Sequence, residues 1–267
     1  MDFLIEPQEL LEQARAKDVL IIDARKPAEY ATGHIPGAVN LSTYDIFALD
    51  TGLHGLQAFA REMAGRYAAI GLSTGRPVVV YEADTGQRAA RDVWIIQYIG
   101  HSSARMLHGG LAAWRAAGGT LSGEVASGTT VALPVREKRG LVIGCDAIAK
   151  RLGEKGFTLL DVRNADEHAG RDQTPCCARH GHIPGSVWIE WTEFLAAGRY
   201  KSPEAIRKLL AERGVDPASE VVPYCHRGAR SANTYYALKY AGLANVRNYI
   251  GSWHEWSARA DLPLEKS

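Results

Sequence analysis

Residues Cys225-His226-Arg227-Gly228-Ala229-Arg230 bring a thiol, an imidazole and two guanidinium groups into six consecutive positions. The four residues before them, Val221 to Tyr224, read as a buried strand, and Ser231 to Gly242 reads as a helix. A strand, a tight loop and a helix N-terminus together aim backbone N–H groups at one point. A cysteine at the first loop position puts its sulfur at that point. The helix dipole, Arg227 and Arg230 all favour thiolate over thiol there. The pattern therefore predicts an activated nucleophile that receives a group and is left negatively charged. The competing reading makes Cys225 a small hydrophobe ending a buried strand, as isolated cysteines usually are. The charged run that follows it must reach the surface, and this favours the catalytic reading.

The rest of the composition narrows the class. A chain of 267 residues is long enough for two domains of ordinary size. Hydrophobic content of 46% and charged content of 23% suit a soluble globular protein. A net charge of +1 gives no broad field to recruit nucleic acid or an anionic membrane, so neither is expected as a partner. The N-terminal residues Met1 to Glu6 lack the basic and apolar stretches of a signal peptide, and no run approaches transmembrane length. The four cysteines, Cys145, Cys176, Cys177 and Cys225, are too few for a disulfide scaffold of this size, so a reducing cytoplasm is the expected location. No metal-ligand spacing, cofactor site or nucleotide-binding loop is present in the pattern.

The elements that must position Cys225 are written twice. A helix near Pro7 to Ala16 precedes the strand Val19–Ile22, which ends in Asp23-Ala24-Arg25, then Glu29-Tyr30 and Gly33-His34-Ile35-Pro36-Gly37. Later, a helix near Ala147 to Leu152 precedes Phe157–Leu160, which ends in Asp161-Val162-Arg163, then Glu167-His168 and Gly181-His182-Ile183-Pro184-Gly185. The offset is 138 residues at the aspartates and 148 at the histidines, so the second copy carries ten extra residues between them. Pro77–Tyr81 answers Glu220–Tyr224, Arg88–Gly100 answers Arg230–Gly242, and Gly109–Trp114 answers Gly251–Trp256. A repeat of this period means two domains rather than a solenoid. The expected boundaries are 1–122 and 139–267, with 123–138, rich in Gly, Ser, Thr and Val, as a linker. Short apolar strands alternating with helical segments such as Gln57–Ile70 and Pro203–Arg213 predict α/β domains with mostly parallel sheets. Active sites in such sheets lie past the carboxyl ends of the strands, where Cys225 falls.

The doubled Asp-x-Arg and Gly-His-Ile-Pro-Gly, the Cys-x4-Arg loop and the closing Gly-Ser-Trp-x-Glu-Trp resemble the tandem rhodanese sulfurtransferases over nearly the whole chain. The resemblance implies two rhodanese-like α/β domains, each a central, mostly parallel sheet flanked by helices, with the nucleophile kept only in the second. The sequence matches that asymmetry. Opposite Cys225 the first half has Glu82-Ala83-Asp84-Thr85-Gly86-Gln87, one residue longer before Arg88 and unable to accept sulfur. Its expected role is support. Cysteine phosphatases of related architecture use Cys-x5-Arg, one residue longer than the loop here, and the shorter cradle suits a single sulfur atom.

By the same resemblance, Cys225 takes the outer sulfur of a small anionic donor such as thiosulfate. It then gives that sulfur to cyanide, another thiol or a protein acceptor. Cys225 and Arg230 are the expected catalytic residues, Arg230 bracing the loop. His226, Arg227, Gly228 and Ala229 are expected to bind substrate. In the insertion Gly170–His180, Arg179 is expected to reach the mouth and bind the donor anion. Cys176 or Cys177 is a candidate to relay sulfur or to resolve an oxidised Cys225. Asp161 and Arg163 are expected as an internal ion pair near the loop, Trp253 as packing or pocket wall, and Cys145 as buried and inert. His182 recurs as His34 in the inert half, which argues for a structural role. Mercaptopyruvate enzymes of the family tend to carry Cys-Gly-Ser/Thr-Gly-Val-Thr and an arginine where this chain has Glu167. Thiosulfate is therefore the favoured donor and 3-mercaptopyruvate the alternative. A non-catalytic binding or regulatory module is the reading from a different class.

Overall fold

The computed structural model describes residues 3–16, 19–172, 175 and 177–267. The chain divides into two compact units. One comprises Met1–Ile46, Ala58–Lys138 and Ala197–Arg199; the other comprises Phe47–Gln57, Arg139–Ala196 and Tyr200–Ser267. Each unit thus takes a short segment from the other half of the sequence.

The first unit is built from β1 (Leu4–Ile5), α1 (Pro7–Ala16), β2 (Leu20–Asp23), α2 (Pro27–Ala31), β3 (Val39–Asn40), α3 (Leu53–Ala69), β4 (Val78–Tyr81), α4 (Gln87–Tyr98), β5 (Ala104–Leu107) and α5 (Gly110–Ala116). The first turn of α3 falls within the segment assigned to the second unit. The sheet order is β1-β5-β4-β2-β3 and every pairing is parallel. Every residue of β2 and β4 is buried, as expected for apolar runs covered by helices on both faces. Ile21, Val79, Tyr81, Leu107 and Trp114 meet in one of its core clusters. Residues 123–138 contain no helix or strand and count with this unit, held by bonds such as Val131 N–H to Ala68 O at 3.1 Å and Lys138 N–H to Tyr98 O at 2.8 Å.

The second unit contains α6 (Cys145–Ala149), β6 (Phe157–Asp161), α7 (Ala165–Ala169), β7 (Val187–Trp188), the short β8 (Leu195–Ala196), the second residue of β9 (Arg199–Tyr200), α8 (Pro203–Glu212), β10 (Glu220–Tyr224), α9 (Ala229–Tyr240) and α10 (Ser252–Ala258). Its sheet is β10-β6-β7, again parallel. Single parallel bridges, Val221 to Val246 and Val142 to Asn248, stand where the first unit has its full outer strands. The pairing Tyr224 with Asp161 ends the two central strands at one level. Ile143, Leu159, Val222, Tyr224, Trp253 and Trp256 share its core.

Two boundaries differ from the sequence reading in a way that matters for the site. The helix after the cysteine begins at Ala229 rather than Ser231, because Gly228 takes a left-handed conformation (φ 85°) and caps it. A Cβ on Gly228 would also stand 2.5 Å from Ile250 O, so both conformation and space demand glycine. The helix expected from Ala147 instead starts at Cys145. No helix among the described residues is long and apolar enough to cross a membrane.

Candidate active site

Cys225 follows β10 directly, and the loop closes within Cys225–Gly228 before α9 begins. Cys225 is almost wholly buried. Its Sγ accepts the Gly228 N–H at 3.1 Å, and the hydroxyls of Ser231 and Ser252 each stand 3.8 Å from it. The sulfur therefore sits beside one backbone N–H and two hydroxyls at the start of a helix, an environment that can hold an anionic sulfur. The loop is stitched to the next helix. Ser252 Oγ accepts the Cys225 N–H at 3.0 Å, Trp253 N–H donates to Cys225 O at 2.9 Å, and His254 N–H donates to His226 O at 3.0 Å.

The charged residues are arranged in layers around this loop. Arg230 reaches back to Glu167 on α7 and donates to both carboxylate oxygens, at 2.5 and 2.7 Å. Arg163 donates to both oxygens of Asp161 and to Gly181 O at 2.8 Å, and its guanidinium lies 4.6 Å from the Trp253 ring. Tyr224 O–H donates to Asp161 Oδ2 at 2.9 Å, and His168 Nδ1 lies 2.9 Å from the same oxygen. Burial alone would raise the Asp161 pKa. The Arg163 charge and these hydrogen bonds outweigh it and hold the carboxyl well below the usual carboxylate range. Asp161 and Arg163 are thus a buried ion pair beneath the loop, exposed by 0% and 2%.

At the rim, the Arg227 guanidinium stacks on the Phe47 ring at 4.2 Å, and its buried Nε has no hydrogen-bond partner among the described residues. Phe47 also meets His254 edge-on at 5.0 Å, and His254 lies 6.1 Å from His226. Burial, and then the neighbouring Arg227 charge, push the His226 pKa down to about 4, so the imidazole is neutral near pH 7. His226 Nε2 lies 3.2 Å from Cys177 Sγ. A pocket beside the loop is lined by Arg163, Glu167, Asp172, Cys177, His180, His226 and Trp253.

The structure brings Cys225, His226, Arg227, Gly228, Ala229, Arg230, Asp161, Arg163 and Trp253 to one end of the second sheet. Arg179 is a correction. Its guanidinium donates to the carbonyls of Trp256, Ser257, Arg259 and Leu262, spending its N–H groups on closing the C-terminal end of α10. A side chain so occupied is not presented to a donor anion. Cys176 lies outside the described residues, whereas Cys177 is buried against the pocket. Cys145 is buried, and desolvation raises its thiol pKa to about 12, which leaves it protonated. His182 Nδ1 lies 2.9 Å from His168 O, and its ring stacks on that of His168 at 3.9 Å.

The sequence reading missed Phe47, Thr51, Ser252 and His254. Ser252 and His254 lie in the closing motif, where their neighbouring tryptophans drew the attention. Phe47 and Thr51 come from the first half of the sequence, and no local motif marks them. Thr51 donates from its N–H and hydroxyl to the Glu255 carboxylate at 2.6 and 2.7 Å, and its Oγ1 accepts the Cys145 N–H at 2.8 Å. Among the described residues no group of three or more His, Cys, Asp or Glu is placed to hold a metal ion.

The sequence profile of the Rhodanese-like domain matches residues 6–117 and again 145–259. The chain belongs to the rhodanese family. A thiosulfate sulfurtransferase of Pseudomonas aeruginosa is 31% identical over 266 residues, covering 99% of this chain and 97% of its own. A probable 3-mercaptopyruvate sulfurtransferase of the same organism is 33% identical, covering 98% and 97%. Among solved structures, the rhodanese fold here resembles an anaerobic ergothioneine biosynthesis enzyme from Chlorobium limicola with a TM-score of 0.88. That likeness has 20% identity and spans 99% of this chain and 70% of the other.

Proposed function

We propose that this rhodanese is a sulfurtransferase that moves the sulfane sulfur of thiosulfate to cyanide or a thiol through a persulfide on Cys225. The observation that carries the reading is the Gly228 N–H donated to Cys225 Sγ at 3.1 Å, at the mouth of α9. In the first half-reaction the Cys225 thiolate attacks the outer sulfur of thiosulfate. A Cys225–sulfur bond forms, the sulfur–sulfur bond of thiosulfate breaks, and its electron pair leaves with sulfite. In the second, cyanide or a thiolate attacks the outer sulfur of the persulfide and returns the pair to Cys225. The Gly228 N–H stabilises the negative charge on sulfur, and the Ser231 hydroxyl, which accepts the S–H of the neutral thiol, turns to donate to the thiolate. Arg230, clamped by Glu167, is the brace that fixes the helix start, and Arg227, held over the Phe47 ring beside the loop, meets the sulfonate end of the donor.

Thiosulfate is favoured over 3-mercaptopyruvate by the basic loop and by Glu167 standing where a carboxylate-binding arginine would be needed. Arg230 neutralises Glu167, so preference rests on the missing arginine more than on repulsion. The relative named as a probable 3-mercaptopyruvate enzyme keeps the second donor in view. A reducing cytoplasmic setting fits the three described cysteines, none of which is in a disulfide among the described residues. Intact mass after incubation with thiosulfate tests the reading: a gain of about 32 Da on Cys225, lost on adding cyanide, is expected. A gain with mercaptopyruvate alone would change the donor, and no gain with either would leave the binding-module reading.

A further inference from the structure

Cys177 is a second thiol with a base beside it, His226, and that base directly follows the nucleophile in the chain. Cys177 Sγ lies 3.2 Å from His226 Nε2, within reach of an S–H to nitrogen hydrogen bond. Both residues line the pocket that also presents Arg163, Glu167 and Trp253. The walls of that pocket are tied to the catalytic loop: Trp253 N–H holds Cys225 O, and Glu167 holds Arg230. Trp253 Nε1 also donates to Arg179 O at 3.1 Å, which pins the chain two residues after Cys177 against the same wall. Cys225 itself is only 1% exposed, so a bulky thiol acceptor has little access to a sulfur held there, whereas Cys177 at 7% faces the pocket.

We infer that Cys177 is an internal sulfur acceptor, which takes the outer sulfur from Cys225 with His226 as the base and presents it to acceptors too large for the catalytic loop. This rests on the Cys225 persulfide reading above. In the step, His226 Nε2 accepts the Cys177 proton and passes it to the outer sulfur. Cys177 Sγ forms a bond to that sulfur, the bond between the outer sulfur and Cys225 Sγ breaks, and its electron pair returns to Cys225 as thiolate. One persulfide replaces another, so no oxidant or reductant is consumed. The neutral imidazole that burial and Arg227 impose on His226 is the form that can accept the proton.

The test is a single turnover with thiosulfate labelled in its outer sulfur, quenched with an alkylating reagent that traps persulfides, followed by peptide mapping of the full-length protein. Label is expected on both Cys225 and Cys177. Cys225→Ser should remove it from both, and His226→Gln should lower the Cys177-to-Cys225 label ratio about 100-fold, the low end of a typical general-base contribution. Label confined to Cys225 overturns the relay. So does label on Cys176 instead, label on Cys177 that survives Cys225→Ser, or a Cys225–Cys177 disulfide formed with release of sulfide. If Cys225 itself never carries label, the persulfide reading falls, and the relay falls with it.

Discussion

Glu82 and Cys225 hold matching positions, each following the tyrosine that closes a central strand. Beneath them the two halves are nearly superimposable in their polar chemistry. Tyr81 O–H donates to Asp23 at 2.6 Å, as Tyr224 O–H donates to Asp161 at 2.9 Å. Arg25 donates to Gly33 O, and Arg163 to Gly181 O, both at 2.8 Å. Tyr30 stacks on His34 at 3.7 Å, and His168 stacks on His182 at 3.9 Å. The difference lies above this frame. In the first half the Glu82 carboxylate accepts the N–H groups of Arg88 and Ala89 at 2.6 and 3.0 Å. A Cβ on Gly86 would stand 2.3 Å from that carboxylate, so glycine is what lets Glu82 lie across the loop. In the second half the corresponding space holds the Cys225 sulfur, which accepts the Gly228 N–H. The comparison teaches that the frame builds an anion cradle at a helix start in both halves, and that the occupant decides whether it is structure or chemistry.

The sharpest way to break the comparison is to exchange the occupants. Cys225→Ala should lower sulfur transfer by at least about 1000-fold, as for loss of a covalent nucleophile. Adding Glu82→Cys to that variant should not restore it, because the first loop is one residue longer and its helix N-terminus starts from a different backbone. Thiocyanate production from thiosulfate and cyanide reads both, and recovered activity would mean that the frame alone suffices. Next, Asp161→Asn should destabilise the second unit by about 3–5 kcal/mol by leaving Arg163 buried without its counter-charge. Urea unfolding checks the value, and Asp23→Asn should cost a similar amount in the first unit.

A smaller effect separates the two occupants by pH. Burial raises the Glu82 pKa from 4.5 to about 7, so between those values the folded chain binds a proton that the unfolded chain has lost. Stability from this group is therefore full below pH 4.5 and falls as pH rises through 7. Glu82→Gln lacks that slope and should be more stable than the parent above pH 7, by up to about 3 kcal/mol, with the gap closing toward pH 4.5. Thermal unfolding across this range is the measurement, and a gap independent of pH would show that Glu82 titrates normally. The smallest change expected is at the rim. Phe47→Ala removes the ring under Arg227 and should raise the KM for thiosulfate about threefold, with kcat less affected, in keeping with about 0.5–1 kcal/mol for an exposed cation–π contact.

The repeated frame was legible in the sequence because it is made of short local motifs. Asp161 and Arg163 lie two residues apart, and a strand-ending aspartate with an arginine at that spacing pairs by local geometry. The loop was legible for the same reason, apart from its end. Gly228 was read as one loop position among six, whereas its left-handed backbone starts the helix early. Arg179 was misplaced because an arginine in a basic insertion near a mouth is indistinguishable, in one dimension, from one that caps a distant helix end. Phe47 and Thr51 left no trace, since their partners Arg227 and Glu255 lie 180 and 204 residues further along the chain.

The bonds of Thr51 bear on how this protein is cut for study. A gene fragment encoding 139–267 ends at the repeat boundary but leaves out Phe47–Gln57, which belong to the second unit. Such a fragment would strand the 7%-exposed Glu255 without the two donors that Thr51 supplies, and Cys145 without the acceptor for its N–H. The period of the duplication and the division of the folded chain are different places, and a second half made by the first will be incomplete by the second.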